Sequence, residues 1–305
     1  MKIFVTGVGG QLGYDVVNEL LSRGHEVVGT DIVDESNILA PYVKLDITDG
    51  QAVKNVLNEC KPDAVIHCAA WTAVDAAEET ENYDKVKAVN VDGTNNLALA
   101  CKMLGIKMMY ISTDYVFNGL GEKPWDPDCK DYKPLNVYGE TKLAGELAVS
   151  ENLDKYFIVR IAWVFGKNGN NFIKTMLNVG KKYNELKVVN DQIGTPTYTF
   201  DLAKLLSDMI ESDKYGYYHA TNEGGYISWY DFAREIFRQA TLQGKGDYSE
   251  SRLSVKPVST EEYGVSKAAR PNNSRLDKTK LVLNGFKPLP TWQDALERYI
   301  HELDM

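Results

Sequence analysis

The protein has 305 residues, 44% of them hydrophobic and 25% charged, a composition typical of a globular chain that buries a core. Disordered and collagen-like architectures are therefore excluded, and no apolar run approaches the ~18 residues that a membrane-spanning helix needs. With 34 Lys and Arg against 43 Asp and Glu, the net charge is −9, and because such a field repels nucleic acid and anionic lipid, we expect neither as a partner.

The first half of the sequence alternates short apolar runs with amphipathic segments. The apolar runs predict strands at residues 3–5, 27–28, 64–66, 108–111 and 157–161, and the amphipathic segments predict helices at residues 11–22, 51–59, 84–104 and 141–150. The strands are nearly continuous apolar runs, as in a parallel sheet with helices on both faces. The sequence therefore predicts an α/β fold with a doubly wound, Rossmann-type parallel sheet.

The pattern changes after Gly166, where longer polar loops appear and helices stand without partner strands. Helices are predicted at residues 172–182, 200–211, 228–239 and 291–303, with Ser228 and Thr291 as N-caps. At about 150 residues per domain, the length suggests two domains. We predict a first domain over residues 1–166 and a smaller C-terminal lobe over residues 167–305, which closes over the carboxyl ends of the sheet. The stretch around residues 198–220 is a candidate to rejoin the first domain.

The cysteines and histidines are scattered through the sequence. Cys60, Cys68, Cys101 and Cys129 form no C-x-x-C pair, and the four histidines show no metal-ligand spacing. We expect the cysteines to be small buried hydrophobes in a reducing compartment rather than disulfides or zinc ligands. The apolar run of the N-terminal residues MKIFVTGVGG is too short for a signal peptide, which favours the cytoplasm.

A glycine-rich turn follows the first predicted strand. Gly7, Gly10 and Gly13 form T-G-x-x-G-x-x-G, with Gln11 and Leu12 opening the first helix. Such glycines allow a tight turn and a close approach of the backbone to a pyrophosphate at the helix N-terminus. In this context the motif predicts dinucleotide binding by the first domain, and a purely structural turn is the alternative. The spacing is similar to that of the short-chain dehydrogenase/reductase superfamily.

Asp31 ends the second predicted strand, 18 residues after Gly13. A carboxylate at this place accepts hydrogen bonds from the adenosine ribose and repels a 2′-phosphate. Since no Lys or Arg lies between Gly7 and Gly13, we predict NADH in preference to NADPH, with NADPH left open. The alternative is a solvated acid at a strand end.

Two further loops follow predicted strands. In the superfamily that the sequence resembles, an Asp at the place of Asp46 meets the adenine amine, and Ile47 adjoins it. Cys68, Ala69 and Ala70 are small residues that would let a dinucleotide lie against the backbone. Ordinary loop and core packing is the alternative for both segments.

Tyr138 and Lys142 form Y-x-x-x-K, a pair that shares one helix face. This spacing also arises by chance on surfaces, but here it follows a glycine-rich turn and the segment S-T-D-Y-V-F at residues 112–117. A free tyrosine has a pKa near 10, which we expect the Lys142 ammonium and the positive nicotinamide of an oxidised cofactor to lower. We predict that Tyr138 is the general acid for a carbonyl oxygen whose carbon receives hydride. Lys142 would hold the nicotinamide ribose, and Thr113 would orient the carbonyl.

The sequence resembles the dTDP-4-dehydrorhamnose reductase family, which are extended short-chain dehydrogenases/reductases. The resemblance rests on A-A-W-T-A-V-D-A-A-E (69–78), S-T-D-Y-V-F (112–117), P-L-N-V-Y-G-E-T-K (134–142), A-W-V-F-G and G-N-N-F (162–172), D-Q-I-G-T-P-T (191–197) and R-P-N-N-S-R-L-D (270–277). It implies reduction of the 4-keto group of dTDP-6-deoxy-L-lyxo-4-hexulose to dTDP-L-rhamnose, for cell-surface polysaccharide. It further implies that Thr113 and Asp114 contact the sugar and that Trp163 lines its pocket.

One residue separates this reading from related dehydratases. Nucleotide-sugar 4,6-dehydratases carry Asp-Glu after the threonine, because elimination needs an additional acid/base. Here Asp114 is followed by Tyr115, so the second carboxylate is missing. Simple reduction needs one proton donor and one hydride, and the sequence favours it.

The diphosphate of such a substrate needs local donors in an acidic protein. We predict Arg270 as its main partner, assisted by Asn171, and a surface arginine before a proline turn is the alternative for Arg270. Trp71, Trp125, Trp229 and Trp292 are predicted to serve packing or contacts between the lobes rather than ligand binding.

Two rival functions stay open at this stage. A regulatory subunit of methionine adenosyltransferase shares the fold and similar motifs without being a reductase, and a nucleotide-sugar epimerase would retain its NAD. The sequence does not determine the oligomeric state, so a homodimer stays open. Some relatives dimerise through acidic side chains around Mg²⁺, but no such cluster can be assigned here, and no metal ligand is predicted.

Overall fold

The computed structural model describes residues 1–35 and 37–303. In chain order its strands are β1 (Lys2–Thr6), β2 (Glu26–Asp31), β3 (Tyr42–Lys44), β4 (Ala64–His67), β5 (Lys107–Thr113), β6 (Tyr156–Ile161), β7 (Val164–Phe165), β8 (Glu185–Val189), β9 (Ile193–Gly194), β10 (Thr197–Tyr198), β11 (Gly216–His219), β12 (Ile227–Ser228) and β13 (Ser254–Val258). The α-helices are α1 (Gln11–Ser22), α2 (Gly50–Cys60), α3 (Val74–Ala77), α4 (Tyr83–Lys87), α5 (Thr94–Leu104), α6 (Val137–Asn152), α7 (Phe172–Lys182), α8 (Thr199–Ile210), α9 (Trp229–Leu242), α10 (Thr260–Tyr263), α11 (Thr279–Leu283) and α12 (Trp292–Glu302). In the described part of the chain, no helix is long and apolar enough to cross a membrane.

Seven of the strands form one parallel sheet. Their order is β11-β6-β5-β4-β1-β2-β3, and each neighbouring pair runs parallel. The order reverses between β1 and β4, because β1 pairs with β2 on one side and with β4 on the other. In doubly wound sheets, ligands bind at the carboxyl ends of the strands beside this reversal. The predicted Rossmann-type α/β fold is confirmed.

Alternate residues of the central strands enter two separate cores, which explains why the strands read as continuous apolar runs. Ile3 and Val5 face the core against α1 and α8, whereas Phe4 faces the core against α2 and α5. Met109 and Tyr110 on β5 divide in the same way between the two faces. Because helices cover both faces, nearly every strand position is buried and apolar.

The C-terminal part of the chain builds a third core from α7, α9 and α12. Buried aromatic side chains fill it, among them Phe232, Trp292 and Tyr299. The predicted caps are confirmed, since Ser228 forms a capping box with Asp231 and Thr291 accepts from the Asp294 amide. β11, however, extends the parallel sheet beside β6, and α8 packs on the same core as α1. Where one domain ends and the next begins stays a prediction.

The helix predicted at residues 84–104 differs from the structure in its middle. Residues Ala88–Gly93 form a π-helical segment between α4 and α5. The Asn90 side chain within it accepts from the Trp71 amide at 2.8 Å and donates to the Trp71 carbonyl at 3.3 Å. The widened turn thus fixes the loop after β4, and periodicity alone does not reveal such a local insertion.

Candidate active site

A cavity of about 870 Å³ lies along the carboxyl ends of the central strands. Its walls come from the glycine-rich turn, the ends of β2, β4 and β5, the start of α6, and the aromatic side chains of α7 and α9. Its volume is within the range of cavities that hold cofactors and their substrates. Nearly all of the predicted site residues line it: Gly7, Gly10, Gln11, Leu12, Gly13, Asp31, Asp46, Ile47, Cys68, Ala69, Ala70, Thr113, Asp114, Tyr138, Lys142, Trp163 and Arg270.

Glycine is required at two positions of the turn after β1. Gly7 has a φ of 71°, and a Cβ there would lie 2.5 Å from the Ala69 amide nitrogen. A Cβ at Gly13 would lie 2.2 Å from the Gly7 carbonyl oxygen. The turn therefore packs backbone directly against backbone and leaves the N-terminus of α1 open toward the cavity, where an anion is favoured by the helix dipole.

Two carboxylates stand at the strand ends beside this turn. One Asp31 oxygen accepts from the Gly9 amide at 2.9 Å, and the other accepts from the Ile32 amide at 2.7 Å. Asp46 accepts from both the amide and the hydroxyl of Thr48. These local bonds fix the two side chains at the cavity wall, where Asp31 can accept from ribose hydroxyls.

The segment after β4 presents small side chains to the cavity. The Ala69 amide donates to the Thr6 hydroxyl at 3.2 Å, and the Cys68 amide donates to the Thr6 carbonyl at 3.3 Å, so the segment is tied to the end of β1. Burial raises the pKa of the Cys68 thiol to about 12. Cys68 is therefore a neutral packing residue of the cavity wall. Ile47 is buried against Gly93 on the other side.

The helix α6 presents Tyr138 and Lys142 to the cavity on one face. It begins four residues earlier than predicted, because Asn136 caps it by accepting from the Gly139 amide at 2.7 Å. The Asn136 amide group also donates to the Ala269 carbonyl at 2.7 Å. The cap thereby ties the start of α6 to the segment that carries Arg270.

The protein's own groups do not lower the Tyr138 pKa, so the expected lowering depends on the positive nicotinamide and stays a prediction. Burial raises the pKa of Tyr138 above its usual value, and the nearby Asp114 and Tyr115 raise it further. A hydrogen bond with the Thr113 hydroxyl opposes this rise only in part. The phenol therefore keeps its proton at neutral pH, as a proton donor must. A nearby positive charge would be needed to make donation easier.

The Lys142 amine lies among neutral groups rather than against the phenol. Its Nζ donates to the Ile111 carbonyl at 2.7 Å and lies 4.0 Å from the centroid of the Tyr110 ring. Burial lowers the Lys142 pKa to about 7, although the Glu146 carboxylate opposes the shift. Lys142 is thus mainly an ammonium below pH 7, and it loses its charge as the pH rises through about 7.

Asp114 lines the cavity, and one of its oxygens is buried without a hydrogen-bond partner. Its Oδ1 accepts from the Thr113 hydroxyl at 3.0 Å, whereas Oδ2 is buried without a hydrogen-bond partner, as is the Ser112 hydroxyl. Burial raises the Asp114 pKa to about 6. Buried polar atoms of this kind are normally satisfied, so both side chains are suited to bind hydroxyl groups of a ligand.

Arg270 and Lys142 are the two cationic side chains that line the cavity. Arg270 is held by three neighbours: Asp75 at 2.6 Å, the Ser266 hydroxyl at 3.3 Å and the Tyr115 hydroxyl at 3.4 Å. Its side chain keeps 27% of its exposure. The guanidinium can thus reach an anionic group in the cavity without leaving its place in the fold.

Trp163 lines the cavity and has a strained backbone. Its φ of 51° lies in the left-handed region, which bulky residues rarely adopt. The indole stacks on Trp229 with ring centroids 3.8 Å apart and packs against Gly194. Trp229 was assigned to packing from the sequence, but it also lines the cavity, and so does Trp71.

Tyr115, Asn170 and Phe172 line the cavity as well, although no spacing pattern in the sequence marks them as site residues.

Asn171 is placed away from the cavity wall. Its side chain caps α7 by accepting from the Lys174 amide and donates to Gln11, to the Gly166 carbonyl and to the Tyr299 hydroxyl. These partners use its hydrogen-bonding groups, so its position does not support the predicted contact with substrate. Its role in the structure is to connect α7 to the start of α1.

The described residues, 1–35 and 37–303, contain no group of three or more His, Cys, Asp or Glu side chains arranged to hold a metal ion. Mg²⁺ therefore stays unassigned. Cys60, Cys68, Cys101 and Cys129 are all unpaired.

Comparisons with known proteins agree on one family. The family described as "RmlD substrate binding domain" matches residues 1–305. A dTDP-4-dehydrorhamnose reductase of Aggregatibacter actinomycetemcomitans is 38% identical, over 97% of this chain and 97% of the relative.

Two solved structures are similar along the whole chain. One is a dTDP-4-dehydrorhamnose reductase of Clostridium acetobutylicum, 43% identical, with a TM-score of 0.89 and 100% of each chain covered. The other is a dTDP-4-dehydrorhamnose reductase of Bacillus anthracis in complex with NADP, 41% identical, with a TM-score of 0.88 and 99% of each chain covered.

Proposed function

Because the chain belongs to the RmlD substrate binding domain family, we propose that it is an NAD(P)H-dependent oxidoreductase that reduces the 4-keto group of dTDP-4-dehydro-L-rhamnose to give dTDP-L-rhamnose. Relatives with this activity in their names match nearly the full length of the chain. The reaction is a step in the synthesis of nucleotide-sugars for cell-surface polysaccharide.

One observation of the structure carries the proposal. A single cavity is lined by a dinucleotide-type glycine turn, by Tyr138, Lys142 and Thr113, and by Asp114 and Arg270. Reduction of a sugar ketone carried on a diphosphate needs these three kinds of group in this order: a cofactor site, a proton donor and polar partners for sugar and phosphate.

The proton donor in this arrangement is Tyr138. Its raised pKa keeps the phenol protonated, and the Thr113 hydroxyl beside it can orient the ketone oxygen. As the oxygen gains negative charge, the Tyr138 proton moves to it, and the phenolate that forms is stabilised by the Thr113 hydroxyl.

The cofactor would be held by the glycine-rich turn and by the strand ends that line the cavity beside it. The N-terminus of α1 with Gly7, Gly10 and Gly13 suits the pyrophosphate, and Asp31 suits the adenosine ribose. Asp46 and Ile47 would border the adenine, residues 68–70 would lie along the dinucleotide, and Lys142 would bind the nicotinamide ribose. When bound, the nicotinamide supplies the hydride. Because Asp31 is already fixed beside the turn, we propose NADH in preference to NADPH.

The substrate would occupy the part of the cavity lined by Asp114, Trp163 and Arg270. The Asp114 and Ser112 side chains offer partners for sugar hydroxyls, and the Trp163 ring forms an apolar wall. Arg270 suits the diphosphate, because guanidinium groups bind phosphate oxygens through two parallel donors. The acidic net charge makes this local cation necessary.

The rival functions are not favoured. A UDP-glucose 4-epimerase structure of Thermus thermophilus is 21% identical to this chain and shows the fold alone. A dehydratase would need a second carboxylate where Tyr115 stands, and a purely binding subunit would not need the intact Thr113, Tyr138 and Lys142. The unpaired cysteines agree with the cytoplasmic location that we propose for such a biosynthetic enzyme.

The proposal is tested by following the oxidation of NADH and of NADPH against a panel of 4-keto nucleotide-sugars. We expect rapid oxidation with dTDP-4-dehydro-L-rhamnose and slower oxidation when the nucleotide is changed. Absence of oxidation with every 4-keto sugar, together with co-purification of a methionine adenosyltransferase, would instead support the binding role.

A further inference from the structure

A buried ion pair lies under the helix that carries Tyr138 and Lys142. Glu146 follows Lys142 by four residues, so Tyr138, Lys142 and Glu146 share one face of α6. The side chains of Glu146 and Arg160 are both 0% exposed. Their contact is bidentate, with Nε to Oε1 and Nη2 to Oε2 both at 2.8 Å.

Arg160 extends this contact into the surrounding fold. It lies on β6, and its guanidinium donates to the Pro127 carbonyl and the Tyr132 hydroxyl, each at 3.1 Å, with His219 of β11 at 3.4 Å. It also lies 4.9 Å from the centroid of the Phe117 ring. The pair thus joins α6 to two strands and to the segment after β5.

Packing alone does not explain two charges at this place. Burying a carboxylate and a guanidinium costs solvation that their attraction offsets only in part, and an apolar pair of similar volume often gives equal or higher stability. A carboxylate four residues from Lys142 on the same face of α6 has a second effect, because Lys142 is itself buried, at 2% exposure.

Few charged or titratable groups face Lys142 besides Glu146. Tyr138 shares its helix face, β4 and β5 contribute neutral groups, and β6 contributes Arg160, whose charge is paired with Glu146. Burial keeps the Cys68 thiol protonated and lowers the His67 pKa to about 3, and the Tyr110 pKa lies well above its usual value, so these side chains are uncharged at neutral pH. Glu146 is therefore the neighbouring anion that favours the ammonium of Lys142.

We propose that Glu146 is a positioning residue for the reaction: through Arg160 it fixes α6 on β6, and its carboxylate keeps Lys142 in the charged form that the site uses. The inference rests on the proposed function for its consequence in catalysis, but the charge of Lys142 can be measured without any turnover. Removing the Glu146 charge lowers the Lys142 pKa, so the ammonium is lost at a lower pH.

The test is a pH titration of Lys142 by NMR in protein labelled with ¹³C and ¹⁵N at lysine, with the signal assigned from Lys142→Met. Glu146→Gln removes the charge but leaves Arg160 buried without an anion, which can prevent folding. The double variant Glu146→Gln/Arg160→Met removes both charges and keeps the volume, so it separates the electrostatic role from a structural one. Glu140→Gln is the matched control, since Glu140 is an exposed acid on the same helix.

We expect the Lys142 pKa to fall by about one unit in Glu146→Gln, where Arg160 is left as an unpaired cation, to fall by less in the double variant, and to stay unchanged in Glu140→Gln. In the active enzyme, the loss of kcat/KM at high pH should begin at correspondingly lower pH. An unchanged Lys142 titration in the double variant, or an equal shift in Glu140→Gln, would overturn the inference. So would a double variant that fails to fold, because the pair would then be needed for folding itself. A shifted titration in a protein without reductase activity would refute the proposed function alone.

Discussion

Asp75 holds Arg270 at the wall of the cavity across 195 residues of sequence, through an Oδ2 to Nη2 contact of 2.6 Å. The other Asp75 oxygen accepts from the Lys267 and Ala268 amides, each at 3.0 Å. One carboxylate on α3 therefore fixes both the guanidinium and the segment that carries it. A cation held in this way loses little freedom when it binds an anion, which favours affinity.

Replacing Arg270 with Ala should weaken binding of the nucleotide-sugar. Hydrogen bonds to charged groups contribute about 1.5–3 kcal/mol, which corresponds to a rise in KM of roughly 10- to 100-fold. The KM for NADH should change little, because the cofactor half of the cavity is untouched. Lys267→Ala, which removes an exposed cation from the same segment, is the control, and steady-state kinetics with equal effects on both substrates would contradict the assignment.

Replacing Asp31 with Asn should shift the cofactor preference toward NADPH. The carboxylate lies beside the Gly9 amide, where it would face a 2′-phosphate, and removing one unit charge at this range changes the relative kcat/KM by roughly tenfold. Asp34→Asn serves as the control, because Asp34 pairs with Lys44 on an exposed loop. A ratio of NADPH to NADH efficiency that stays the same in Asp31→Asn would show that Asp31 does not select the cofactor.

Replacing Tyr138 with Phe should abolish turnover and leave cofactor binding intact. The change removes the proton donor and keeps the ring that packs edge-on against Tyr115 at 5.7 Å. Loss of a general acid typically costs 10²- to 10⁴-fold in rate. Binding of NADH, followed by its fluorescence, should match the unmodified protein. Near-normal turnover of this variant would remove Tyr138 from the mechanism.

Replacing Asp15 with Asn should stabilise the protein at high pH only. Burial raises the Asp15 pKa from 3.8 to about 6, so the folded state loses stability as the pH rises from about 4 to about 6, where the unfolded chain ionises first, and this loss persists at higher pH. After allowance for the partial exposure of Asp15, we expect a gain of about 1–2 kcal/mol at pH 8 and little at pH 4. Thermal unfolding at both pH values measures this, with the exposed Asp154→Asn as control. An equal gain at both pH values would point to a cause other than ionisation.

The parallel sheet and most of the residues proposed to bind the cofactor were predictable, because the sequence patterns that indicate them are local. Gly13 is required by a contact within one turn, Gly7 by the positive φ of that turn, and the buried strands of a doubly wound sheet read as apolar runs. The caps Ser228 and Thr291 were predictable for the same reason, since a cap acts within three residues of its helix.

What the sequence did not reveal depends on contacts between distant segments. The stacking of Trp163 on Trp229, the ion pair of Asp75 with Arg270 and the interior role of Asn171 each join residues that only the folded chain brings together. The raised pKa of Tyr138 belongs to the same class, because burial is a property of the whole fold, and motif spacing places the phenol beside Lys142 without saying how much water surrounds it.

The central claim is that hydride reaches the 4-keto carbon of a nucleotide-sugar in this cavity. The most direct test supplies NADH carrying deuterium at the reactive carbon of the nicotinamide ring, on each face in turn, with dTDP-4-dehydro-L-rhamnose. We predict that one of the two deuterated forms of NADH yields a sugar deuterated at C4. One NADH should be oxidised per sugar formed, as measured by NMR and mass spectrometry. Deuterium absent from C4 with both cofactors, or a changed sugar without net oxidation of cofactor, would contradict the account.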